Sequence, residues 1–139
     1  CGKVTYSFNK DKVISAHHCH CKDCQRTTGS GKATILFIPK KHISVDGDLK
    51  YFESTGTAGS HVRRGFCPEC GSAVLSYAKE ISHILYVKAG TLDDSSWVEA
   101  DSNFFTSAAE NWSKPDDSIK SFEKNPGIMS NIKTLFKSL

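Results

Sequence analysis

The segment 17–24 contains three cysteines, Cys19, Cys21 and Cys24, in a C-x-C-x-x-C pattern. Thiolates are strong, soft ligands that bind Zn²⁺ at about 2.3 Å, and cysteines spaced this closely are typical of zinc sites. Three protein ligands leave the fourth tetrahedral position to water or substrate, which separates a catalytic zinc from a structural one. The pattern therefore predicts a zinc site with an exchangeable ligand. Two alternatives are disulfides with distant cysteines and inert thiols that pack as small hydrophobic side chains.

A second pair of cysteines, Cys67 and Cys70, lies in a Cys-Pro-Glu-Cys-Gly segment that is typical of a zinc knuckle. In a knuckle both cysteines sit on a tight turn whose backbone N–H groups can bond the sulfurs, and Gly71 tolerates the positive φ that follows. Cys1 is the candidate third ligand, although a closed structural site needs four. A metal that joins Cys1 to the knuckle would close a long loop, which stabilises a small domain. We therefore predict two zinc ions per chain and no disulfides.

Several polar side chains near the first group of cysteines are candidates for a role in its chemistry. Three thiolates around Zn²⁺ carry a net negative charge, and Lys22 and Arg26 flank the group and could compensate it, unless they are ordinary solvated charges. His20 lies between two ligands, and in an extended segment its side chain would point away from theirs, which favours a role in packing or in supporting the ligands over metal ligation. The other candidates are hydroxyls that could contact a peptide-like ligand and carboxylates that could act as a base: Thr27, Thr28, Ser30, Asp93 and Asp94.

Length and composition are those of an ordinary globular domain. A chain of 139 residues with 38% hydrophobic and 24% charged residues indicates one domain with one core. The net charge of +3 is small, and the basic pairs at 40–41 and 63–64 are too sparse for a nucleic-acid surface, so we expect no nucleic-acid partner. No apolar run approaches the roughly 20 residues of a membrane-spanning helix. Clustered cysteines without secretory features favour a reducing compartment, so we expect a cytoplasmic protein.

Short apolar segments separated by turns predict a mainly β fold of small antiparallel sheets. Val4, Tyr6 and Phe8 alternate with polar residues, and the segment 13–19 is expected to return as the paired strand and to deliver the first cysteines at its end. A connector is predicted at 40–45, and Asp46-Gly47 is a hairpin signal. The remaining predictions are a helical turn at 22–28 and strands at 33–38, 49–52, 72–77, 84–89 and 103–106.

The segment 126–139 differs from the rest of the chain. Its apolar residues recur at helical spacing, at Ile128, Ile132, Leu135, Phe136 and Leu139. We predict a domain over 1–125 and an amphipathic C-terminal helix over 126–139 that packs on this domain or on a partner subunit. The second arrangement would make the protein a homodimer.

The motifs together resemble those of one known family. They read C-G-x-V from Cys1, H-C-H-C-x-x-C-x-x-x-x-G-S around the first cysteine group, F-C-x-x-C-G-S at the knuckle and A-G-T-L-D-D from Ala89. In these motifs, and in the order and spacing of all six cysteines, the chain resembles the glutathione-dependent formaldehyde-activating enzyme family, which includes centromere protein V. The resemblance runs from Cys1 to about Trp112. It implies a zinc-containing, Mss4-like fold of small β-sheets.

The resemblance also implies a role for each cysteine. It assigns a structural zinc to Cys1, Cys67 and Cys70, and a catalytic zinc to Cys19, Cys21 and Cys24. Members of the family open with C-x-C-G, which implies a further cysteine two positions before Cys1. Where relatives often carry His-Ile-Phe, this chain has Asn103-Phe104-Phe105.

The activity implied by the resemblance is that of a carbon–sulfur lyase. Glutathione would condense with formaldehyde to S-hydroxymethylglutathione, or the adduct would be cleaved in reverse, with a small thiol and a small aldehyde as partners. The alternative is a non-catalytic zinc-binding interaction module of the centromere protein V type. The two differ in whether the zinc of the first cysteine group has an exchangeable fourth ligand.

Overall fold

The computed structural model describes residues 1–56 and 59–126. These described residues form ten strands and one α-helix, together with short 3-10 turns. The elements are β1 (Thr5–Phe8), β2 (Ser15–Cys19), α1 (Lys22–Thr28), β3 (Ala33–Pro39), β4 (Ile43–Asp46), β5 (Lys50–Thr55), β6 (His61–Phe66), β7 (Ala73–Ala78), β8 (Ile84–Lys88), β9 (Ser102–Phe104) and β10 (Lys120–Ser121).

The strands form two sheets. A small antiparallel sheet pairs β1 with β4, and an eight-stranded sheet has the order β10-β9-β2-β3-β8-β7-β6-β5. Most pairs in the larger sheet are antiparallel, but β9 lies parallel to both β2 and β10. The prediction of a mainly β fold is confirmed, with the addition that one sheet is large and mixed.

Two predicted pairings are wrong, although the strands themselves exist. The segment 13–19 does not return along β1, because β1 pairs with β4 and β2 pairs with β3 and β9. The hairpin expected at Asp46-Gly47 is also absent: β4 pairs with β1 and β5 with β6. The predicted connector at 40–45 contains most of β4, and β6 and β10 are further strands. The other predicted strands lie within three residues of the observed bounds, and the helical turn at 22–28 is α1.

The two faces of the large sheet have different characters. Side chains alternate between faces along each strand, so residues in register across neighbouring strands share a face. One such row joins Leu75, Val87, Leu36 and Ala16, all at most 4% exposed, and forms the main hydrophobic core. The next row, on the opposite face, joins Arg64, Ser76, Tyr86 and Phe37. This second face therefore presents polar and aromatic side chains, and it carries the candidate site.

The C-terminal helix predicted at 126–139 lies outside the described residues except for Pro126, so both the helix and the domain boundary stay predictions. Within the described part of the chain, no helix has the length and apolar character needed to cross a membrane.

Candidate metal centres and the adjoining cavity

Cys19, Cys21 and Cys24 converge where β2 passes into α1, and we call them the helix cluster. Cys19 ends β2, Cys21 is the N-cap of α1 and Cys24 lies in its first turn. All three are at least 91% buried. The Cys24 N–H donates a 3.3 Å hydrogen bond to Cys21 Sγ, so the helix start itself satisfies one sulfur.

The donor set of the helix cluster suits a thiophilic metal ion. Its three sulfur atoms lie within 4.8 Å of one another. Sulfurs bound to one tetrahedral zinc at about 2.3 Å are about 3.8 Å apart, so the separations of the three sulfurs are compatible with one such ion. Their mutual contacts lower the pKa of the Cys21 thiol, because Cys19 and Cys24 donate to it, and the same contacts raise the pKa of Cys19. A first proton is therefore lost readily, and full ionisation calls for a compensating cation.

Backbone contacts fix the turn that carries the helix cluster. The His20 N–H donates to the Phe104 carbonyl at 2.9 Å. The Gln25 side-chain amide donates to the carbonyls of His20 at 2.8 Å and Ala108 at 2.9 Å. The His20 side chain is fully buried and is not one of the converging groups, in line with the expected packing role. The turn is thus attached to β9 and to the loop that follows it.

A cavity of about 150 Å³ adjoins the helix cluster on the second face of the large sheet. Aromatic side chains form much of its wall, contributed by Phe37, Tyr86, Phe104 and Phe105. Two cations, Lys88 and Arg64, and one carboxylate, Asp23, also line it. Arg64 forms an ion pair with Asp23 at 3.7 Å and donates to Ser54 Oγ at 2.6 Å. The site therefore combines buried sulfurs with an apolar wall and positive charge.

The cations in the cavity are not those expected from the sequence. Lys22 is half exposed and forms an ion pair with Glu110, and Arg26 is exposed. Lys88 is only 8% exposed. Burial lowers the pKa of Lys88, and the nearby Cys24 sulfur opposes that shift. One feature of the sequence could have indicated Lys88, because it is a charged residue in an otherwise apolar strand. It directly follows the core residue Val87, so its side chain lies on the opposite face of the sheet.

The other candidates named from the sequence lie elsewhere. The Thr28 hydroxyl donates to the Cys24 carbonyl at 2.8 Å and so completes α1 rather than lining the cavity. Thr27 and Ser30 do not line it either. Asp93 and Asp94 lie beside the other group of cysteines, and Asp94 Oδ1 accepts from the Ser96 N–H at 2.9 Å.

Phe105 adopts an unusual backbone conformation at the wall of the cavity. It is the one non-glycine residue with positive φ among those described, at φ 56° and ψ 43°. A left-handed conformation costs a residue with a Cβ about 1–2 kcal/mol. Such strain is often retained at functional sites, where the surrounding contacts fix it. Here it places the Phe105 side chain against the apolar surroundings of the helix cluster.

A pair of substitutions separates the strain at Phe105 from the loss of its ring. We expect Phe105→Gly to be more stable than Phe105→Ala by about 0.5–1 kcal/mol, because both remove the ring but only glycine adopts positive φ freely. Urea denaturation of the two variants, followed by circular dichroism, measures this difference. A Phe105→Ala protein that is equally stable or more stable would show that position 105 is unstrained.

Cys1, Cys67 and Cys70 form the second group, which we call the knuckle cluster. Their sulfurs also lie within 4.8 Å of one another, and the Cys1 and Cys67 sulfurs are 3.6 Å apart. The turn has the expected form: the Gly71 N–H donates to the Cys67 carbonyl at 2.8 Å, and Gly71 has φ +75°. Both clusters consist of free thiols and could hold a metal ion, so the prediction that the cysteines gather in two groups is confirmed.

Comparison with known proteins gives a family and a fold. A family model described as glutathione-dependent formaldehyde-activating enzyme matches residues 1–108. A crystal structure of a Rhodobacter sphaeroides protein is similar with a TM-score of 0.52 and 19% sequence identity, covering 71% of this chain and 85% of that chain. At that identity the likeness concerns the fold alone. No curated protein matches the chain.

Proposed function

Because the chain belongs to the glutathione-dependent formaldehyde-activating enzyme family, we propose that it adds a thiol, glutathione in particular, to a small aldehyde such as formaldehyde. The product would be S-hydroxymethylglutathione, and the reverse reaction would be carbon–sulfur cleavage. The reaction is redox-neutral: the S–H bond and the carbonyl π bond are exchanged for a C–S and an O–H bond. The observation that carries the proposal is the buried helix cluster with a cavity beside it.

The two clusters have different parts in this proposal. The helix cluster would hold a catalytic zinc, and the knuckle cluster a structural one. At its remaining position, a zinc ion bound by three thiolates would either lower the pKa of a substrate thiol or polarise an aldehyde carbonyl. Both clusters line a cavity, but the helix cluster suits this role better, because its three cysteines are all buried and the buried Lys88 lines the same cavity, whereas Cys1 and Cys70 are exposed.

The size of the cavity favours a small aldehyde. Its volume of about 150 Å³ is comparable to that of a protein cavity that holds one molecule the size of benzene. This is room for the cysteine side chain of glutathione and a one- or two-carbon aldehyde, while the rest of the tripeptide would remain outside. The aromatic wall limits the access of water to the reacting groups, and the buried Lys88 places positive charge beside a reacting thiolate.

The test is a panel of thiols and aldehydes with zinc-loaded protein. Exchange between ¹³C-formaldehyde and its thiol adduct is measured by NMR and compared with the spontaneous rate. We expect acceleration with glutathione and formaldehyde, and a loss of at least about 100-fold in Cys21→Ala, because metal polarisation contributes several kcal/mol. A zinc-loaded protein that accelerates no member of the panel would contradict the proposal and favour the interaction module. Acceleration with other thiols but not with glutathione would contradict the assigned substrate.

A further inference from the structure

Lys88 is a buried cation without a carboxylate partner in the described part of the chain. It lies at the end of β8, in register with Ile35 on β3, and is 8% exposed. The five ion pairs found among residues 1–56 and 59–126 involve other cations, and none of the hydrogen bonds found there reaches Lys88 Nζ. A buried ammonium without a counter-charge is unfavourable by several kcal/mol. The charged form of Lys88 therefore requires a nearby anionic group.

The groups that can become anionic near Lys88 are the sulfurs of the helix cluster. Lys88 lines the same cavity as all three cysteines, and its electrostatic interactions include each of them, with Cys24 the strongest. Arg64, the other cation of the cavity, is already paired with Asp23 and bonded to Ser54. The charge of Lys88 is thus unpaired and available to the sulfurs, whereas that of Arg64, which also acts on Cys21, is shared with Asp23.

A count of formal charges shows what this cation contributes. Three thiolates and one divalent metal ion carry one net negative charge, which opposes the binding of an anionic fourth ligand such as a thiolate. Lys88 brings the group to neutrality, so that a thiolate adds a first negative charge instead of a second. Lys22, although adjacent to Cys21 in sequence, is half exposed and paired with Glu110, so solvent screens its effect.

We propose that Lys88 is the built-in counter-charge of the helix cluster, which raises its affinity for a divalent metal ion and for an anionic sulfur donor. This rests on the assignment of a metal ion to the helix cluster in the proposed function. Lys88 does not contact the reacting atoms in this proposal; its positive charge stabilises the thiolates that bind the metal ion. It stabilises the ionised cluster in the interior, where the low dielectric makes its charge more effective than a surface charge.

The test compares Lys88→Met with Lys22→Met in the full-length protein. Both variants lose one positive charge, but only the first loses it from the cavity. Affinity for Co²⁺ is measured by chelator competition, with Cys21→Ala used to identify the binding step of the helix cluster. We expect Lys88→Met to bind Co²⁺ at that step about 10- to 100-fold more weakly, and Lys22→Met to match the unmodified protein. The affinity of the knuckle cluster for Co²⁺ should be the same in all three proteins.

A second measurement distinguishes electrostatics from packing. In a Cys21→Ala background the helix cluster cannot assemble, so Lys88→Met should raise the urea midpoint, because an apolar side chain replaces an uncompensated buried charge. In the unmodified zinc-loaded protein the same change should not raise it. The same shift in both backgrounds, or failure of Lys88→Met to fold in either, would mean a role in packing and would overturn the proposal.

The outcomes separate this inference from the proposed function. If Lys88→Met and Lys22→Met bind Co²⁺ equally well, the counter-charge proposal fails, even where the protein accelerates adduct formation. If Lys88→Met alone binds weakly and no thiol or aldehyde reacts, the counter-charge proposal is supported and the proposed function fails. An unmodified protein that binds no metal at the helix cluster would overturn both.

Discussion

Replacing Cys67 by alanine is expected to prevent the chain from folding. Cys67 is 2% exposed, and its sulfur lies 3.6 Å from that of Cys1, 66 positions earlier in the chain. A structural zinc contributes about 10–16 kcal/mol to the folding of small zinc domains. The total free energy of unfolding of a domain is about 5–15 kcal/mol. The loss of most of the metal contribution is therefore as large as the whole stability of the domain. Circular dichroism and size-exclusion chromatography of the purified variant provide the measurement.

Cys21→Ala is the matched control for this substitution. It also removes one buried sulfur, but from the helix cluster, which lies within one strand–helix turn and joins no distant parts of the chain. We expect a folded protein that retains one zinc ion by elemental analysis, against two in the unmodified chain. If thermal melts show the two variants to be equally destabilised, the division into a structural and a catalytic site is wrong.

The cysteine clusters could be predicted because most of their cysteines are close together in the sequence. The C-x-C-x-x-C spacing places three sulfurs within one strand end and one helical turn, and the structure shows that turn as α1. The knuckle is equally local, since Gly71 adopts the positive φ that the motif needs. The addition of Cys1 to the knuckle is a long-range feature, which the need for further thiolate ligands and the family resemblance indicated.

The cavity could not be predicted, because it depends on which strands pair. Arg64, Ser76 and Tyr86 become neighbours only through the pairings of β6 with β7 and of β7 with β8. The sequence favoured hairpins between consecutive strands, whereas β1 pairs with β4, 35 or more residues away. The alternation of apolar and polar residues along a strand does not determine its partner, because any strand with the same pattern can bury the same face.

The backbone conformation of Phe105 could not be predicted from the sequence either. A positive φ is expected from glycine, asparagine or aspartate, and nothing in a phenylalanine side chain indicates it. The conformation follows from its surroundings: the Phe105 N–H donates to the Lys124 carbonyl at 3.3 Å, and the next N–H, of Thr106, donates to the Phe122 carbonyl at 3.1 Å. Tertiary contacts late in the chain therefore determine a feature at the wall of the candidate site.

The second large effect concerns the sulfur of glutathione. We expect it to enter the fourth position of the metal in the helix cluster, because a thiolate is a better soft donor than water. Coordination favours its deprotonation near neutral pH, which supplies the nucleophile for the addition. A fourth thiolate would add a net negative charge to the cluster, and the charge of Lys88 offsets this cost. S-methylglutathione is the matched control, because it keeps the peptide and blocks the sulfur from becoming a thiolate.

The measurement is a titration of cobalt-substituted protein with glutathione and with S-methylglutathione, followed through the ligand-field spectrum. Co²⁺ reports its own ligands, so the result does not depend on turnover or on the aldehyde. We expect a spectral shift that saturates with glutathione, is absent with S-methylglutathione and is lost in Cys21→Ala. Identical responses to the two peptides, or no response to either, would contradict direct sulfur coordination at the helix cluster.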